Sequence, residues 1–416
     1  MMKAVGRAIG RFANGLLRGG STPARLRVWM ICTMVVAVLF GVLGAFGVGR
    51  RDASLGDGAE AAAQLLAVQD VQVRLVNADS IARENYLRGG IEDAGKRATY
   101  EAELSAVSEG LVAVGNRVLP AEARQLASVA AQLGEYAGLV EQARANNRQG
   151  FPVGAAYLRS ANALSGSMVA ALRDVQSSLR SQVNDSLDRA DKAGSWLHVT
   201  GWPLVLLLLA GGWWHAKRFR RLVNPALAVA TGLSLLLLLL GGSTQGSAMA
   251  DAEAATATSL EAADLVAQAR SAAFEARALE SSTLIARGSN NDDPWLLAGS
   301  TSTAALVTLC DTTGDCALTD GFAFYADSHA AVRALDDDGD WEAAREASLD
   351  GLAADAFTAF DIDSGGSAQA YRDSATDQLR SATDGLSWMR VLVFFGGLAI
   401  AALSLVAYGQ RLREYR

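Results

Sequence analysis

Lysine is almost missing from this chain: four lysines stand against 33 arginines, and histidine and cysteine number three each. The histidines, His198, His215 and His329, have no partner at metal-ligand spacing. A Walker A loop, G-x-S-x-G, H-E-x-x-H and a kinase signature are all absent, so no familiar catalytic chemistry is encoded and the chain reads as a non-enzyme. Cofactor or metal ligands are not expected. The acidic run at 336–340 fails calcium spacing, since Trp341 stands at loop position 6 and Ala347 at position 12. Residues 361–366 put Gly366 in place but offer Arg372 at position 12 and fail too.

Apart from Arg390 at the edge of the last, charge is also lacking from four apolar runs, at 28–48, 196–214, 225–245 and 390–408. Each approaches the ~20 residues that a helix needs to cross ~30 Å of hydrocarbon. The first is too long for a cleaved leader and lacks its small-residue site. Between the middle two lies a short basic loop, 215–224, containing Lys217, Arg218, Arg220 and Arg221. Lys and Arg are retained on the cytoplasmic side, so this loop, the basic arm 1–27 and the tail 409–416 are expected there, with both termini cytoplasmic in a cell membrane. Arg50 and Arg51, at the outer end of the first run, count against that orientation. The few polar entries within the runs, such as Thr33, Thr231 and Ser234, suit helix packing rather than transport. Cys32 reads as a small apolar filler.

Two extracytoplasmic stretches remain, 52–195 and 249–387. Strand patterning is absent and apolar residues recur at three- and four-residue spacing. The fold class is therefore all-α: four transmembrane helices and two outer four-helix bundles in a tandem, duplicated layout. The first stretch has net charge −4 and the second −18. Charge and location exclude nucleic acid as a partner. In the second stretch Gly-Ser at 288–289 and DIDSGGS at 361–367 read as helix breaks, and Asp340 as the N-cap of a helix starting at Trp341. Cys310 and Cys316, flanking a turn-rich DTTGD, read as a local disulfide of an oxidising compartment.

Residues 3–18 place Lys3, Arg7, Arg11 and Arg18 on one helical stripe, as in a helix lying on an anionic leaflet. Arg88 and Arg287 end the two long outer helices at the membrane-distal side. Both read as helix C-caps followed by left-handed glycine, or as a distal ligand or partner contact. Lys217, Arg218, Arg220 and Arg221 are the expected docking points for an inner partner.

Each half is similar to two-pass bacterial sensors, although no output domain follows the spans. ARENYLRGG (82–90), ALESSTLIARGS (278–289), the four passes and the basic arm resemble GlnX-like four-pass membrane signalling proteins of actinobacteria. The Arg-, Ala- and Gly-rich composition suits such a source. The resemblance implies a relay from a glutamate/aspartate-binding lipoprotein outside to a Ser/Thr protein kinase inside that controls nitrogen and 2-oxoglutarate metabolism. It assigns no binding residues. A homodimer is expected from the paired bundles. The other readings are an accessory subunit of a transport or export complex and a structural cell-envelope protein.

Overall fold

The structure, a computed structural model, describes residues 22–219, 224–287 and 291–413. The arm stripe of Lys3, Arg7, Arg11 and Arg18, together with Arg220, Arg221 and Gly288, lies outside the described residues. Among the described residues every regular element is a helix. In order they are α1 (Thr22–Arg88), α2 (Ala94–Gly115), α3 (Pro120–Arg148), α4 (Gly154–Phe219) and α5 (Pro225–Ala255). A π-helical turn, Thr256–Leu260, leads into α6 (Glu261–Ile285). Then come α7 (Asp293–Thr313), α8 (Ala317–Asp337), α9 (Trp341–Asp350), α10 (Leu352–Ser381) and α11 (Leu386–Arg413).

The chain divides into two compact units. An apolar unit takes its residues from Met1–Asp57, Ser186–Ala252 and Arg380–Arg416. Among the described residues, four helices are long and apolar enough to cross a membrane. In this unit the large side chains Leu39, Phe46, Leu206, Leu239 and Phe395 face outward, the inverse of a water-soluble surface and what lipid contact requires. Cys32, a free cysteine of α1, is also exposed. Phe40, Leu197, Leu204, Val393 and Ile400 form the interior. There α1 and α11 meet backbone to backbone: a Cβ built on Gly397 would lie 2.5 Å from the Gly41 Cα. Thr33, Ser234 and Ser404 return their hydroxyls to carbonyls of their own helices, which satisfies them without a ligand. Arg51 is buried and donates to the Ala190 and Gln245 carbonyls at 2.9 and 2.8 Å.

A polar unit contains Gly58–Asp185 and Glu253–Leu379. Local signals start its helices. Asp93 caps α2 through Gly95 N and Lys96 N, Pro120 opens α3, and Asp340 accepts from Ala343 N ahead of α9, as its place before Trp341 indicated. The two segments do not build separate bundles with separate cores. Leu65, Leu75, Tyr136, Met168 and Leu172 of the first share one cluster with Val266, Phe274, Tyr325 and Phe360 of the second. The physical reason lies in α6, where Ala262, Ala263, Ala269, Ala272, Ala273 and Ala276 are all buried. These small side chains let neighbouring helices approach α6 closely, while its charged residues such as Arg277 and Glu280 pair across the same packing.

A second correction concerns 361–367, where α10 runs on without a break. Arg270 lies against Gly365, whose added Cβ would sit 3.2 Å from the guanidinium. Arg270 donates to the Asp361 carbonyl, the Asp361 carboxylate and Ser364 Oγ at 2.6–2.7 Å. The glycine makes room for a cation instead of ending a helix. Cys310 and Cys316 are joined, with Cα atoms 4.6 Å apart, across the turn between α7 and α8.

Candidate functional site

The polar unit holds a cleft of about 610 Å³. Four glutamines line it: Gln69 and Gln72 from α1, Gln176 from α4 and Gln268 from α6. Arg173, Asp264 and Glu275 add one cation and two carboxylates, and Leu279 and Leu297 add apolar wall. The amides form a chain: Gln176 Nε2 donates to Gln72 Oε1 at 2.9 Å, and Gln72 Nε2 donates to Ser271 Oγ at 2.9 Å. Gln69 Nε2 donates to Asp264, which also receives Arg180 at 2.5 Å. Burial, with Glu261 nearby, raises the Asp264 carboxyl above its usual range although Arg180 opposes the shift. Gln69 is only 3 % exposed, yet its Oε1 has no hydrogen-bond partner among the described residues. A buried acceptor left open costs about 1–3 kcal/mol, a debt that a donor on a bound solute removes. The lining suits a small polar solute carrying both donors and acceptors.

Next to this cleft in sequence lies a buried ionic cluster. Pro294 and Leu297 of α7 line the cleft, and Trp295 between them stacks on His329 at 3.8 Å, nearly parallel. His329 Nδ1 lies 2.7 Å from Glu280, and Ser348 Oγ donates to the same carboxylate at 2.6 Å. Arg277 binds Glu280 at 2.6 Å, Glu84 of α1 at 2.8 Å and the Ser348 carbonyl at 2.7 Å. Burial opposes ionisation of Glu280, but Arg277 and the hydrogen bonds from His329 and Ser348 hold its carboxyl below the usual range. Tyr325, buried beside Glu280, is pushed well above its ordinary value, first by burial and then by that negative charge. Among the described residues, no group of three His, Cys, Asp or Glu could hold a metal ion.

The residues singled out from the sequence are placed as follows. Arg88 grips Asp350 through 2.7 and 2.9 Å bonds and touches the Leu349 carbonyl. Arg287 lies 4.2 Å over the Trp341 ring and itself takes the left-handed conformation (φ 49°) expected of the glycine after it. After Arg88 the left-handed residues are indeed Gly89 and Gly90. Both arginines thus tie long helices to α9. Lys217 lies over Trp213, and Arg218 donates to Thr22. The glutamines and the Arg277–Glu280–His329 cluster escaped sequence reasoning. Their one visible signal was Gln69 and Gln72 interrupting the apolar stripe of Leu65, Val68 and Val76.

Residues 54–188 match the actinobacterial sensor domain family. The matched segment corresponds closely to the first half of the polar unit and supplies Gln69, Gln72, Arg173 and Gln176 of the cleft. It spans about a third of the chain. No curated protein matches, and no solved structure matches.

Proposed function

We infer that the chain is a non-catalytic membrane sensor, in which a signal received by the polar unit biases alternative arrangements of the long helices. The observation that carries this reading is helical continuity. α1 and α4, of 67 and 66 residues, each include a membrane-length apolar window and also supply walls of the glutamine cleft. A shift of either helix at the cleft is mechanically connected to its apolar segment. The match to a sensor domain over 54–188 supports the same class.

The finer reading is the relay that the GlnX-like resemblance suggests. The polar unit faces outward, meets a glutamate/aspartate-binding lipoprotein, and signals to a cytoplasmic Ser/Thr kinase docked on Lys217, Arg218, Arg220 and Arg221. The strong acidity of the second outer segment supports a protein contact with a basic face. In-cell crosslinking of the tagged protein, with mass spectrometry of its neighbours with and without external glutamate, tests the relay. A solute-binding lipoprotein and a Ser/Thr kinase, captured in glutamate-dependent yield, are expected. Permease or ATPase subunits in their place would make the chain a transport accessory.

A further inference from the structure

The apolar unit carries two adjoining cavities that the sensing reading does not use. The first, about 630 Å³, is lined by Arg50, Arg189, Lys192 and Arg390, with Phe46 and Trp196 as aromatic walls. Asp57 is its one carboxylate, and it faces Arg189 at 3.5 Å. Arg50 lies over Phe46 at 5.3 Å, and Arg390 packs along the Gly49 backbone with Asp52 in its field. Neither of these, nor Lys192, forms an ion pair among the described residues. The second cavity, about 610 Å³, is almost wholly apolar and runs between α1 and α11 along Val42, Ala45, Val391, Phe394 and Phe395. Phe46 and Arg390 line both cavities, so a cationic chamber opens directly into an apolar groove. Exposed Trp196 and Trp388 stand at the same end of the apolar segments, where aromatic belts mark headgroup depth.

The geometry points to a binding site for an anionic phospholipid, its phosphate held by Arg50, Lys192 and Arg390 and one acyl chain laid in the α1–α11 groove. Cationic pockets between membrane helices recognise headgroup phosphate by charge, and the groove adds the area that a free phosphate cannot use. The site also accounts for Arg50, whose position at the outer end of a span runs against the charge rule: its charge has a counter-ion in the bilayer itself. Arg51, by contrast, is held internally by backbone carbonyls. The inference rests on membrane insertion of the four apolar helices, and on the outward orientation only for which leaflet supplies the lipid.

Native mass spectrometry of the full chain in neutral detergent tests it. Dioleoyl phosphatidylglycerol is titrated against dioleoyl phosphatidylcholine, with glycerol 3-phosphate as soluble competitor. Preferential retention of the anionic lipid is expected, falling at least ~10-fold in Arg50→Gln/Lys192→Gln/Arg390→Gln. Arg50→Lys/Arg390→Lys and Lys217→Gln/Arg218→Gln should both keep it. Equal retention of the two lipids, or retention unchanged in the triple variant, overturns the site. Competition by glycerol 3-phosphate at the lipid's own concentration overturns the lipid assignment in favour of a free phosphate ligand. If the triple variant is not monodisperse, Arg50→Gln alone carries the test, with a several-fold loss expected and no loss overturning it. Carbonate-resistant membrane retention reads insertion separately, so a failed pocket and a failed topology give different results.

Discussion

Glu280 shows how much one buried carboxylate can organise. Its oxygens receive Arg277, His329 and Ser348, with Tyr325 at 3.4 Å. Breaking a buried pair leaves the partner's charge uncompensated, so Arg277→Met should cost about 3–5 kcal/mol in urea unfolding followed by tryptophan fluorescence. Because the folded carboxyl is held below its ordinary value of 4.5, its contribution is complete above that pH and is lost as pH falls toward the folded value. Glu280→Gln should therefore lower stability at pH 7 and flatten the acid limb of the stability curve, as denaturation at pH 7 and pH 4 would reveal. Gln69 behaves oppositely. Gln69→Met removes an unmet acceptor together with one bond to an Asp264 that Arg180 still holds. Stability should change by less than about 1 kcal/mol while the glutamate-dependent crosslinking disappears.

Among the elements, the route from α5 to α6 is distinctive because it passes through the π turn Thr256–Leu260. A π turn holds one residue more than the α-helix around it and is readily rearranged. Ser259 within it bonds Ser374 and Gln378 of α10. Deleting Ala257 should restore regular helix there. Slower hydrogen exchange across 253–262, together with loss of signalling, is the expected result, and unchanged signalling would show that the turn is passive. Helix identity was legible from three- and four-residue periodicity, and so were Asp340 as a cap and the Cys310–Cys316 bridge, since these signals lie within a few residues of one another. The continuation of α10 through Gly365 was not, because the reason is Arg270, ninety-odd positions away. The cleft stayed hidden for the same reason: Gln69 and Asp264 meet only when distant segments pack.

For the molecule as a whole, the two halves of the polar unit are not independent. Arg277–Glu84, Arg372–Asp70 and Arg88–Asp350 are pairs from opposite halves of the sequence. A chain ending at residue 224 would expose the faces of α1 and α4 that meet α6. Such a fragment should be cleaved in the 58–185 segment by limited proteolysis under conditions where the full chain resists.

That shared core also sets an order of events during synthesis. Residues 58–185 emerge first, but their apolar partners arrive only after two further membrane runs have been made. At ~5–20 residues per second, the first segment waits several seconds for about seventy more residues before α6 can begin to cover it. During that interval the uncovered first segment is a client for any chaperone or protease that meets it. The abundance of the mature protein is thus governed by how fast its second half follows, as well as by how stable the finished core is.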